Sequence, residues 1–115
     1  MSFKAVSREV GGVTVIDMDG RITLGEGSDL LRDLISEKLG AGQKKIVMNL
    51  AGITYIDSTG LGELVAGYRH VKSQGGEIKL MNLNKKVSDL LQITKLYAVF
   101  DIHNDEAQAV ASFQF

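Results

Sequence analysis

The 115-residue chain contains no cysteine, no proline and no tryptophan. Without cysteine there are no disulfides and no thiolate metal sites, and the composition fits a reducing compartment. Without proline, and with 13 glycines present, the turns must depend on glycine, which adopts left-handed backbone conformations without steric cost.

Neither sign of charge is in excess, because 13 basic residues balance 14 acidic ones. No basic cluster exceeds the pairs Lys44-Lys45 and Lys85-Lys86, so we expect no nucleic-acid partner. No apolar run approaches the roughly 18 residues of a membrane span, and the N-terminus lacks the apolar core of a signal peptide. The sequence therefore predicts a cytoplasmic protein without membrane insertion. Its length and a hydrophobic fraction of 44% predict one globular domain over residues 1–115.

The spacing of apolar residues predicts strands that alternate with helices after an opening hairpin. The predicted elements begin with two strands within 4–20 joined at Gly11-Gly12, followed by a short extended piece and a loop over 21–27. A helix begins after an N-cap at Ser28, and Gly40 stops it as the C′ residue. A strand at 45–50, a helix ending near Gly75-Gly76, a strand at 77–82 and a short helix capped by Asn84 come next. The chain ends with a strand at 98–102 and a terminal helix capped by Asn104, with Ala107, Val110 and Ala111 facing inward. This alternation predicts an α/β fold with a mixed sheet and parallel crossovers.

The junction after the strand at 45–50 is the most distinctive stretch of the chain. Asp57, Ser58 and Thr59 are all residues whose side-chain oxygens cap helices. Gly60 and Gly62 follow in the first turn of the expected helix, where each forfeits about 0.8–1 kcal/mol of helix propensity. A simple helix cap is one interpretation. The excess of hydroxyls and glycines indicates a second one, a surface that another molecule reads.

Several chemistries lack residues that they need. A nucleophile elbow needs glycine where Ile56 stands, and a dinucleotide fingerprint needs glycine where Val65 stands. His70 and His103 have no partner at a recognisable spacing, and we expect a solvated helix residue and a loop residue respectively. No acidic or histidine cluster offers metal ligands. We therefore predict that the protein is not an enzyme and has no cofactor or metal.

The run Ile56-Asp57-Ser58-Thr59-Gly60-Leu61-Gly62, preceded by Ile46-Val47-Met48-Asn49-Leu50, resembles the signature of STAS domains. It is most similar to that of the bacterial anti-sigma-factor antagonists, and the resemblance extends over essentially the whole chain. It implies a mixed sheet of four or five strands with a starting β-hairpin and helices packed mainly on one face.

The resemblance also implies a mechanism. In this family the serine after the aspartate is phosphorylated by an anti-sigma factor that is a serine kinase of the histidine-kinase-like ATPase type. Here that residue is Ser58. The unphosphorylated antagonist binds the anti-sigma factor, phosphorylation ends the binding, and a phosphatase resets the protein. Chemistry alone does not separate Ser58 from Thr59 as the acceptor, and only the resemblance favours Ser58.

Carried over by position, the expected partner-binding residues are Arg21, Thr23, Asp57, Ser58, Thr59, Gly60, Leu61, Gly62 and Glu63. One of them departs from the sporulation-type members, which commonly have an acidic residue where Arg21 follows Gly20. This change of sign suits a different kinase surface. The alternative is a STAS adaptor or scaffold subunit of a signalling complex, or a cytoplasmic transporter accessory subunit, without sigma-factor control.

Overall fold

The computed structural model describes residues 2–113. The predicted domain of 1–115 therefore includes three residues, Met1, Gln114 and Phe115, that lie outside the described range. The described elements are, in chain order, β1 (Lys4–Val10), β2 (Val13–Ile22), α1 (Glu26–Gly40), β3 (Lys45–Ile56), α2 (Ser58–Ser73), β4 (Glu77–Met81), α3 (Lys85–Ile93), β5 (Asp101–His103) and α4 (Glu106–Ala111).

The strands form one mixed sheet in the order β1-β2-β3-β4-β5. β1 and β2 are antiparallel, and β2, β3, β4 and β5 pair in parallel. Gly11 and Gly12 join the hairpin with φ angles of 57° and 81°, the left-handed conformation that a two-residue hairpin turn requires. The predicted mixed sheet with a starting hairpin is confirmed.

Helices cover the two faces of the sheet unequally. Apolar side chains of α1, α2 and α3, such as Leu31, Leu64 and Leu91, share one core cluster with the sheet. On the other face, the one helix among residues 2–113 that contributes is the short α4, whose Ala109 joins a smaller cluster with side chains such as Val15. The expectation that helices pack mainly on one face is confirmed, and it leaves much of the second face to polar side chains.

Two predicted strands end too early at their C-terminal sides. β2 continues to Ile22 and β3 continues to Ile56, and these two residues pair with each other across the parallel ladder. Pairing with β2 carries β3 past the predicted end at Leu50, with register shifts typical of bulges. Conversely, the predicted strand at 98–102 is reduced to Asp101–His103.

The predicted ends of α1 are wrong. The helix begins at Glu26 behind Gly25, whose φ is 97°, and Ser28 is a buried residue inside the first turn. The Ser28 hydroxyl donates to the Thr23 carbonyl oxygen at 2.8 Å instead of capping. At the other end Gly40 belongs to the helix, and Gly42 takes the left-handed conformation with φ 82°.

Of the predicted N-caps of α3 and α4, one is confirmed and the other is wrong. Asn84 caps α3 as predicted, because its Oδ1 accepts a hydrogen bond from Val87 N at 2.9 Å. Asn104 does not cap α4, whose N-cap position is Asp105. Val110 packs against the smaller core cluster as predicted. Ala107 and Ala111, also predicted to face inward, are exposed, and the buried residue of α4 is Ala109.

Ion pairs centred on Arg8 and on Lys79 link neighbouring elements on the polar face of the sheet. Arg8 on β1 binds Asp17 on β2 at 2.7 Å and also binds Glu106 on α4. These hydrogen bonds from the Arg8 guanidinium hold the pKa values of Asp17 and Glu106 below their usual range. Arg8 therefore joins the hairpin to the terminal helix.

The second contact centres on Lys79, a buried cation on β4. Its Nζ lies 2.6 Å from Asp101 Oδ2 and 3.5 Å from Glu77 Oε2. The hydrogen bond from Lys79 lowers the pKa of Asp101. His103, predicted in a loop, lies in β5 with Nε2 3.1 Å from the same carboxylate oxygen. Asp101 is thus the nearest anion to a side chain that is only 6% exposed.

We predict that Asp101→Asn lowers the free energy of unfolding near neutral pH by about 1–3 kcal/mol, because it removes the closest anion from a buried ammonium. The folded-state pKa of Asp101 lies below its ordinary value of 3.8. Its contribution is therefore fully present above that value and disappears as the pH falls through the folded-state pKa. Urea denaturation of both proteins between pH 7 and pH 3 measures the difference.

The control is Asp89→Asn, which breaks only the exposed pair with Lys85 and should change stability by less than about 0.5 kcal/mol. A difference between wild type and Asp101→Asn that is absent at pH 7, or undiminished at the acidic end, would contradict the assignment.

Candidate functional site

The candidate site is built on the carboxylate of Asp57, which occupies the N-cap of α2 directly after β3. Its Oδ1 accepts a hydrogen bond from Gly60 N at 2.7 Å, and its Oδ2 accepts one from Leu24 N at 3.0 Å. These two backbone hydrogen bonds keep the pKa of Asp57 below its usual range. The predicted cap is confirmed, and the same side chain also fixes the loop between β2 and α1.

Ser58 and Thr59 are the first two residues of α2, and both are exposed. Within residues 2–113 neither hydroxyl has a hydrogen-bond partner. Of the three residues with capping chemistry, only Asp57 therefore caps the helix. Two hydroxyls remain free at a helix N-terminus, where unpaired N–H groups and the helix dipole favour an added anion.

Gly60 and Gly62 have different reasons for being glycine. A Cβ on Gly60 would overlap the Ile22 carbonyl oxygen and lie 2.7 Å from the Ile22 carbonyl carbon. A Cβ on Gly62 would meet nothing within 4 Å. The sequence-based hypothesis assigned both glycines to an external surface. The structure gives Gly60 an internal reason, and only Gly62 opens to solvent.

Two further predicted site residues, Leu61 and Glu63, make contacts within the domain. Leu61 is 8% exposed and belongs to the main core. Glu63 is 18% exposed, and its carboxylate lies 3.3 Å from the Arg32 guanidinium on α1. Its charge is therefore balanced within the molecule, and less of it is available to a partner than the sequence implies.

Arg21 and Thr23 lie at the end of β2 and just after it. Arg21 is exposed and stands in register with Tyr55 on β3. Thr23 is half-buried, and its carbonyl oxygen accepts hydrogen bonds from the Ser28 backbone N–H and hydroxyl at 3.0 and 2.8 Å. The fold thus brings the predicted residues of β2 to the edge of the molecule where α2 begins. Their binding roles remain predictions.

Three exposed apolar side chains near this edge are not among the predicted residues. Leu24 is 76% exposed, Tyr55 47% and Ile93 80%. Each of these residues has a sequence context from which its exposure could have been predicted. Leu24 lies in a glycine-rich loop, Tyr55 directly precedes the motif, and Ile93 falls outside the stripe formed by the apolar residues of α3.

Neither metal ligands nor a membrane segment is found in the described part of the chain. Over residues 2–113, no group of three or more histidine and acidic side chains is placed to hold a metal ion. No helix in that range has the length and hydrophobicity needed to cross a membrane.

The family model for the STAS domain matches residues 4–109, and the chain belongs to this family. It is 27% identical over 104 residues to the anti-sigma F factor antagonist of Paenibacillus polymyxa, covering 90% of this chain and 88% of the relative. It is 45% identical over 53 residues to the anti-sigma-B factor antagonist of Bacillus subtilis, covering 46% of this chain and 49% of the relative.

The structures of the Bacillus anti-sigma factor antagonist SpoIIAA show the same fold. The unphosphorylated form superposes with a TM-score of 0.70 at 20% identity over 94% of this chain and 96% of the other. The phosphorylated form gives a TM-score of 0.71 at 20% identity over 96% and 97%.

The contrast between the two glycines gives a matched prediction. Gly60→Ala should destabilise the protein by about 1–3 kcal/mol, because its methyl group must displace the end of β2. Gly62→Ala should leave stability unchanged or raise it by up to about 1 kcal/mol, because the helix gains propensity without a clash. Chemical denaturation compares the two variants with the wild type, and equal effects of both substitutions would contradict the internal role of Gly60.

Proposed function

We propose that the chain is a single STAS domain over residues 1–115 that acts in the cytoplasm as an anti-sigma-factor antagonist. It binds an anti-sigma factor that is also a serine kinase, and phosphorylation at Ser58 ends the binding until a phosphatase resets it. The observation that carries this proposal is the exposed Ser58 hydroxyl at the first residue of α2, beside a cap that needs no help from it. The names of the curated relatives support the general function of an anti-sigma-factor antagonist.

The first turn of α2 suits a phosphate acceptor. A phosphate adds a charge of about −1.5 to −2 at pH 7, and the N–H groups of a helix N-terminus stabilise such an anion. The domain can therefore keep its fold when Ser58 is modified. The similarity to both the unphosphorylated and the phosphorylated form of SpoIIAA is consistent with this view.

The same charge has a different effect at an interface. A partner that docks on the first turn of α2 must desolvate the phosphate and approach the nearby Asp57 carboxylate. Like-charge contacts and desolvation at an interface cost up to several kcal/mol, and each 1.4 kcal/mol changes the affinity tenfold. Phosphorylation can therefore abolish binding without unfolding the protein.

Ser58 is the residue that a kinase modifies, and it is not the nucleophile of an active site in this protein. A nucleophilic serine needs an adjacent general base, and the nearest carboxylate in sequence, Asp57, already uses both oxygens to accept backbone hydrogen bonds. Within residues 2–113 no histidine bonds to the Ser58 hydroxyl. The catalytic machinery is therefore supplied by the partner kinase.

A STAS adaptor without sigma-factor control is the second candidate. The observation that favours it is a continuous exposed face on α2 that includes Gly62, Ala66, Arg69 and Ser73. Such a face could serve as a permanent interface in a signalling complex or a transporter accessory subunit. In that case the state of Ser58 would be irrelevant to binding.

We expect the serine kinases of the histidine-kinase-like ATPase type from the source genome to include one that phosphorylates this protein on Ser58. Mass spectrometry of the protein after incubation with each kinase and ATP identifies the site. Thr59→Ala should retain phosphorylation and Ser58→Ala should lose it, which separates the two neighbouring hydroxyls. A phosphate on Thr59, or on no residue with any of these kinases, would refute the proposed switch.

Binding to the same kinase should follow the charge on residue 58. Ser58→Ala should bind as tightly as the unmodified protein, and Ser58→Asp should bind at least about tenfold more weakly because it places a like charge in the interface. Isothermal titration calorimetry with the kinase and ADP measures both. Equal affinity of the two variants would favour the adaptor over the switch.

A further inference from the structure

A cleft lies between the end of β3 and helix α3, beside the proposed phosphorylation site. One part has a volume of about 280 Å³ and is lined by Tyr55, Ile56, Lys86, Val87, Asp89, Leu90 and Ile93. A second part of about 360 Å³ is lined by Arg21, Thr54, Tyr55 and Lys86. The two parts meet at Tyr55 and Lys86, and we refer to them together as the β3–α3 cleft.

The cleft is lined in part by apolar side chains that are exposed rather than buried in the core. Ile93 is 80% exposed and Tyr55 is 47% exposed, although both border the cleft. Single exposed apolar residues are common on protein surfaces, but a contiguous apolar patch framed by charged residues is typical of an interaction site. Here the frame is formed by Arg21 and Lys86.

The charges of the cleft are predominantly positive. Arg21 and Lys86 are exposed, and neither has an ion-pair partner among residues 2–113. The acidic residue of the lining, Asp89, is bound by Lys85 Nζ at 2.9 Å.

We propose that the β3–α3 cleft is a docking site for an acidic segment of the kinase that modifies Ser58. An apolar side chain of that segment packs on Tyr55 and Ile93, and carboxylates on either side of it bind Arg21 and Lys86. This proposal rests on the proposed function and adds to it the chemistry by which the protein selects its kinase. Two unpaired cations are too few for a phosphate backbone, whereas they match a short acidic peptide with one apolar anchor.

A docking site separate from the phosphorylated hydroxyl has a kinetic consequence. Its contacts are the same in the bound substrate and in the transition state of phosphoryl transfer, so their loss raises KM and leaves kcat unchanged. The contacts of Ser58 and its helix turn, by contrast, position the reacting group and determine kcat. The ratio of the two effects therefore separates docking from chemistry.

The test uses the kinase that phosphorylates Ser58 and measures KM and kcat for the full-length protein and its variants. Arg21→Glu and Lys86→Glu should each raise KM about five- to tenfold at low ionic strength, and added salt should reduce this difference. Lys44→Glu is the matched control, because Lys44 is exposed and precedes the opposite end of β3. Ile93→Glu should also raise KM, with Val6→Glu on β1 as its control, since Val6 is 66% exposed.

The result that overturns the docking site is an equal KM for wild type, Arg21→Glu, Lys86→Glu and Ile93→Glu with Ser58 still phosphorylated. In that case the proposed function stands and the cleft is not used. Failure of every such kinase to phosphorylate Ser58 in the wild type overturns the proposed function and, with it, this docking site. A rise in KM for Lys44→Glu equal to that for Arg21→Glu also overturns it, because a general charge effect then explains the data. Circular dichroism and thermal unfolding verify that all variants are folded.

Discussion

The carboxylate of Asp57 holds the site together, because each of its oxygens accepts a hydrogen bond from a different part of the backbone. One comes from Gly60 in the first turn of α2 and the other from Leu24 in the loop before α1. The cap of one helix and the position of the neighbouring loop are therefore a single interaction. Since these bonds lower the pKa of Asp57, the carboxylate stays ionised throughout the neutral range. Ser58 therefore lies on a turn that these bonds fix, and its hydroxyl has no hydrogen-bond partner within residues 2–113.

This arrangement requires two helices to begin against the last residues of one strand. A Cβ on Gly27 would lie 2.6 Å from the Arg21 carbonyl oxygen, and one on Gly60 would overlap the carbonyl oxygen of Ile22. Both helices can approach β2 only because glycine stands at these contacts. The loop between β2 and α1 is then near enough for Asp57 to reach it. Part of the distinctive motif thus encodes the packing of the fold, and a smaller part is left for recognition.

The sequence predicted correctly those features of the fold that depend on a few adjacent residues. The hairpin at Gly11-Gly12 and the caps at Asp57 and Asn84 follow from the chemistry of a few adjacent residues, and they stand as expected. The failures come from contacts that the pattern of adjacent residues does not report. Ser28 has the chemistry of an N-cap, but the approach of the Thr23 carbonyl gives its hydroxyl another acceptor. β3 runs through Gly52 because β2 pairs with it, and no periodicity in the single strand reports that pairing. For the site, the motif located Ser58, but the burial of Gly60 and Leu61 and the exposure of Ile93 depend on packing.

The exposure of Ser58 also limits how a phosphate there can act. At physiological ionic strength the field of an exposed charge is screened over about 8 Å, so its strongest effect is on groups that touch the first turn of α2. The fold near this turn depends on backbone hydrogen bonds to Asp57, which a phosphate on the adjacent side chain need not break. Within the first turn of α2, Leu61 belongs to the main apolar core and is 8% exposed, whereas Ser58 and Thr59 are exposed. The proposed switch would therefore change what can bind to the surface, and it requires the regulated partner to contact the serine directly.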